Sequence, residues 1–106
     1  MFEHIVIFRF KEPLSPEKQT ELVGAILEFR EQIPGIVGLS AGINETEEVQ
    51  NIHDYTLGLR ITFEDRDALK GYLPHPAHQA FVQWLDGLVE SVVVMDYPVE
   101  AREVSG

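Results

Sequence analysis

The chain has 106 residues, 44% of them apolar, which fits one globular domain and excludes the disordered and fibrous classes. It contains no cysteine, so a disulfide scaffold, a thiolate metal site and a cysteine nucleophile are all ruled out. Eight Lys and Arg against eighteen Asp and Glu give a formal charge of −10, and the cations are scattered, so neither nucleic acid nor an anionic membrane is expected as a partner.

Residues 2–11 predict a first strand, rich in β-branched and aromatic residues. Alternation sends His4, Val6, Phe8 and Phe10 to one face and Ile5, Ile7, Arg9 and Lys11 to the other. Ser15-Pro16-Glu17 then carries a helix cap, a first-turn proline and an acid suited to the helix N-terminus. Leu22, Ile26, Phe29 and Ile33 form an apolar stripe at helical spacing, and Pro34-Gly35 ends it. A glycine-diluted strand is predicted over 36–43, followed by a polar connection to Asp54.

Tyr55 to Phe63 alternates again, with Leu57, Leu59 and Ile61 on the apolar face. Asp65 caps a short predicted helix over 66–73, and Pro74 and Pro76 interrupt the helical path. A second helix is predicted over 77–90, with Phe81, Trp84, Leu85 and Leu88 turned inward. Val92 to Tyr97 predicts the last strand, and a loose tail covers 99–106 beyond a domain of residues 1–98.

The order β-α-β-β-α-β is that of a ferredoxin-like α+β domain: an antiparallel four-stranded sheet with both helices on one face. The other face would collect Ile5, Ile7, Arg9, Thr56, Arg60, Val93, Met95 and Tyr97. That mixture is too apolar for water and too polar for a core, and predicts a homodimer packed sheet against sheet. No apolar run approaches the ~20 residues of a spanning helix. The first residues hold no basic or apolar leader, so a cytoplasmic location is expected.

Reactive side chains are densest in Tyr72-Leu-Pro-His75-Pro-Ala-His78. A neutral imidazole is a base near pH 7, and His78 falls in the first turn of a predicted helix, where the dipole favours that neutral form. Asp96, in phase with Val92 and Val94, is placed to orient it. Tyr72 would donate to a developing oxyanion, and His4 enters the same layer from the first strand. Base, orienting carboxylate and oxyanion donor are the set needed to remove a proton beside a carbonyl. A structural tie between helix and sheet is the alternative. His75 and His78 have the spacing of two metal ligands, but no third or fourth is apparent, so no metal and no cofactor are expected.

Five segments carry a family resemblance: HIVIFRFK at 4–11, IPGI at 33–36, ITFED at 61–65, GYLPHPAH at 71–78 and VVVMDY at 92–97. With them the chain resembles the stress-responsive dimeric α/β-barrel domain family, Dabb. The resemblance implies a ferredoxin-like chain that dimerises through its sheets into a barrel. One branch of the family consists of polyketide cyclases similar to olivetolic acid cyclase, which perform cofactor-free intramolecular aldol condensation. It implies that Tyr72, His78 and Asp96 match that branch's tyrosine, histidine and orienting aspartate, and that His4 matches a pocket histidine. Val6, Phe8, Leu57, Leu59 and Phe81 would line an apolar pocket for a small carbonyl compound. Leu57 departs from the family pattern, where many members carry histidine, and predicts a more apolar pocket. A non-enzymatic, stress-associated structural dimer is the alternative function.

Overall fold

The computed structural model describes residues 1–100, and the last part of the expected tail, 101–106, lies outside the described residues. Strands β1 (Phe2–Phe10), β2 (Ile36–Ile43), β3 (Tyr55–Phe63) and β4 (Val89–Pro98) form one antiparallel sheet in the order β2-β3-β1-β4. This is the ferredoxin-like α+β architecture. β1 is central and pairs with both β3 and β4, while β2 and β4 are edges.

Apart from a single turn that begins at Phe29, each α-helix starts where a short polar side chain or a proline favours it. Ser15 accepts the Lys18 N–H at the start of α1 (Pro16–Leu27), and Asp65 accepts the Ala68 N–H at the start of α3 (Arg66–Tyr72). The apolar stripe predicted through Ile33 runs across two helices, α1 and the single turn α2 (Phe29–Gln32). Gly35 then turns the chain at φ +87°, and a Cβ there would sit 2.6 Å from the Ala68 Cβ, so only glycine fits.

Two expectations are corrected at the end of the chain. The last helix, α4 (Pro76–Leu85), stops five residues short of the predicted Glu90, because Gly87 at φ +84° reverses the backbone and β4 begins at Val89. Trp84, predicted inward, is exposed, with the Lys18 ammonium 5.3 Å from its ring centroid. Trp84 stands about 100° round the helix from Leu85, off the face that Phe81 and Leu85 bury.

The core lies between sheet and helices, built from Val6, Phe8, Leu57, Leu59, Ile61 and Phe63 below and Leu22, Ile26, Phe29 and Leu69 above. On the opposite sheet face Ile5 pairs with Met95 and Ile7 with Val93. Glu3 is buried on this face, accepting from Thr62 Oγ1 at 2.7 Å and from Arg60 Nη1 at 3.4 Å. Among the described residues no helix is long and apolar enough to cross a membrane.

Candidate functional site

The register of β1 against β4 places His4 opposite Asp96, Val6 opposite Val94 and Phe8 opposite Val92, all on the helix side. Over this strip a cleft of about 440 Å³ opens between the sheet and the α3–α4 corner. Its floor is His4, Val6, Phe8 and Leu59, its outer wall Val92, Val94 and Asp96, and its roof Tyr72, His78, Phe81 and Leu85. His4, Tyr72, His78 and Asp96 gather at one end, and Asp86 lies apart from them at the end of α4. A larger hollow of about 530 Å³ near Arg9, Lys11, Glu12 and Asp54 mixes both charge signs and lies away from these groups.

Tyr72 ends α3 and is wedged among aromatic rings, with Phe63 at 5.2 Å and Phe29 at 5.9 Å between centroids. It stands between two imidazoles, His78 at 4.3 Å and His4 at 5.4 Å. Its hydroxyl has no hydrogen-bond partner among the described residues, yet no buried polar side-chain atom is left unsatisfied. The hydroxyl therefore opens on the cleft. Burial, reinforced by the Asp96 charge, raises the phenol pKa far above its ordinary value, so it stays a donor at any physiological pH.

His78 is fixed by the backbone that Pro74 and Pro76 bend. Its Nδ1 lies 2.9 Å from the Leu73 carbonyl oxygen, which can only accept, so Nδ1 carries the proton and Nε2 keeps its lone pair. Partial burial lowers the His78 pKa below its ordinary 6.5; the Leu73 bond opposes this and the nearby His4 adds to it. The neutral, basic form is thereby favoured at pH 7.

Asp96 does not orient His78. Its Oδ1 is 2.5 Å from His4 Nδ1, and His78 has the Leu73 carbonyl instead. Both residues face the helix layer from neighbouring antiparallel strands, and the register between those strands sets them opposite one another. His75 caps α4, its Nδ1 accepting the Ala77 N–H at 3.1 Å. Among the described residues no three His, Asp or Glu side chains are grouped to hold a metal ion.

Of the predicted lining residues, His4, Val6, Phe8, Leu59 and Phe81 border the cleft and Leu57 does not. Leu57 faces the helix layer but lies farther along β3, opposite Phe8 and Ile43, deep in the core. Val92, Val94 and Leu85 also line the cleft, and the signal for the two valines is the strand phase they share with Asp96.

The family model for the stress-responsive A/B barrel domain, Dabb, matches residues 2–99. The chain belongs to the Dabb family. The stress-response A/B barrel domain-containing protein HS1 of Arabidopsis thaliana is 31% identical over 96 residues, covering 90% of this chain and 86% of the relative. Olivetolic acid cyclase of Cannabis sativa is 23% identical over 95 residues, covering 90% and 93%. A dimeric protein of ferredoxin-like fold and unknown function from Bacteroides fragilis superimposes with a TM-score of 0.75 at 24% identity, covering 92% of this chain and 95% of its own.

Proposed function

We propose that this Dabb protein binds a small carbonyl compound in the α3–α4 cleft and acts on it by cofactor-free acid–base chemistry, as a cyclase does. The observation that carries this reading is the pairing of two unpartnered polar groups over an apolar floor. The Tyr72 hydroxyl is a permanent donor, and His78 presents a lone pair on Nε2 within the same cleft. His78 takes a proton from the carbon beside the carbonyl, and Tyr72 donates to the oxygen on which charge collects. The apolar floor of Val6, Phe8 and Leu59 excludes water and holds the carbon chain of the ligand. The similarity to olivetolic acid cyclase over nearly the full chain supports the same chemistry.

The working form in this proposal is a homodimer. Val93, Met95 and Tyr97 stand exposed on the sheet face without helices, Met95 by 61%, beside Ile5 and Ile7. A second copy would cover that face, and the dimeric relative of the same fold supports it. Met95→Glu is expected to yield monomers by light scattering; a dimer unchanged by that charge would refute this interface.

The test of the cleft is a panel of small diketones, followed by protein NMR and by product formation. Shifts are expected at Val6, Phe8, Val92 and Val94, and His78→Ala is expected to abolish turnover with the dimer intact. Shifts elsewhere, or turnover unaffected by His78→Ala, would overturn the reading. The structural-dimer alternative has one observation in its favour, the His4–Asp96 bond that ties edge strand β4 to β1. In that case His78→Ala and Asp96→Asn lower the melting temperature and change no binding.

A further inference from the structure

Resting on that acid–base reading, the geometry points to a division of labour between the two imidazoles. We propose that His4, held by Asp96, is the proton donor of the cleft, delivering from Nε2 to the carbonyl oxygen that becomes a hydroxyl. Asp96 acts through His4 as a positioning residue, and His78 is the acceptor.

Three observations carry the assignment. His4 Nδ1 lies 2.5 Å from the Asp96 carboxylate, which can only accept, the short contact of a charge-assisted hydrogen bond. His78 Nδ1 bonds a neutral carbonyl instead, so nothing comparable holds a second proton there. Finally, His4 is buried, its Nδ1 is committed, and Nε2 has no protein partner among the described residues, where no buried polar atom is unsatisfied. Nε2 must therefore open on the cleft that His4 lines. The surroundings of His4 agree. Asp96 faces it from β4, the neutral Tyr72 from α3 and His78 from α4, while Ile61 and Phe63 on β3 add no charge. Asp86, the other carboxylate at the cleft, bonds neither imidazole. One imidazole is bonded to a carboxylate and the other to a neutral carbonyl, and that difference in partner divides the pair into acid and base.

The proton balance closes for ring formation in a linear 1,3,5-triketone. His78 Nε2 removes a proton from the terminal carbon, and that carbon bonds to the far carbonyl carbon. The carbonyl π pair moves to its oxygen, which takes the Nε2 proton of His4. His4 is left as the neutral Nδ1–H tautomer already bonded to Asp96, and no rearrangement is needed. Loss of water aromatises the ring, and exchange with solvent returns both imidazoles to their starting forms.

The test has two readouts on the full chain. In ¹⁵N-imidazole NMR one strongly deshielded Nδ1–H proton is expected in the wild type, lost in His4→Gln and Asp96→Asn and kept in His78→Gln. The second readout uses heptane-2,4,6-trione in D₂O, following deuterium entry at the terminal methyl groups and closure to the aromatic ring. Asp96→Asn is expected to slow closure ~100-fold and exchange only a few-fold, whereas His78→Gln removes both. A deshielded proton lost in His78→Gln but kept in His4→Gln would overturn the pairing. Equal losses of exchange and closure in Asp96→Asn would overturn the donor role. If the wild type performs neither step, the acid–base reading falls and the donor role with it, while the NMR result still states whether the pair exists.

Discussion

The helix-facing layer of this sheet has two halves that differ in packing and hardly at all in composition. Under α1 and α2, Leu22, Ile26, Ile61 and Phe63 are wholly enclosed, at 0% exposure. Along β4, Val92 and Val94 face the same layer yet remain 48% and 53% exposed. Both halves are built from apolar side chains turned into the layer between sheet and helices. What differs is the cover: α4 ends at Leu85, and the edge strand extends beyond it. The cleft is the space left by that short helix. His4, Tyr72, His78 and Asp96 line that space, because the closed half has no room for an unpartnered hydroxyl or imidazole.

The largest expected effect tests that contrast directly. Phe63→Ala removes a ring from a close-packed site and should cost about 3–5 kcal/mol of stability in urea unfolding. Val94→Ala removes two methyl groups that already border the cleft and should cost less than about 1 kcal/mol. Comparable losses at the two positions would mean that the β4 half is as tightly packed as the other.

Tyr72→Phe is expected next in size, and it separates function from packing. The ring is clamped by Phe29 and Phe63, so the fold should notice little when only the oxygen is removed, a change within about 1 kcal/mol. Turnover of a diketone should fall ~100-fold, the usual cost of losing one oxyanion donor. A large fall in melting temperature with turnover retained would assign the hydroxyl to the fold.

The same contrast explains what could be read from the sequence. Strand alternation and the caps at Ser15 and Asp65 are local, so β1, β2, β3 and the helix starts were legible. Period-two patterning says which face a residue takes, but not how far along the sheet it sits. For that reason Leu57 was expected in the pocket and lies in the core. The Asp96 partner shows the same limit: strand phase puts Asp96 on the helix side without choosing between His78 and His4, and the β1–β4 register brings His4 across from it. The end of α4 was overrun because Leu88 continues the helical apolar spacing, while the reversal at Gly87 depends on a single positive φ.

The smallest expected effect concerns pH. His78 has a lower pKa in the folded chain than its ordinary value near 6.5, chiefly because the α3–α4 corner partly buries it. The unfolded chain therefore binds a proton more readily, and the contribution of His78 to stability is full above about pH 6.5 and fades as pH falls through the folded value. Between pH 7.5 and 5 the wild type should lose melting temperature faster than His78→Gln, and carboxylates away from the cleft, common to both proteins, cancel in the difference. His78 stands half in the cleft and half in water, so this difference should be well below the loss from Phe63→Ala. A steeper decline in His78→Gln would mean that the folded chain holds the His78 proton more tightly than water does. His78 would then be unsuited to act as the base, and the open half of the layer would lose the group that gives it chemistry.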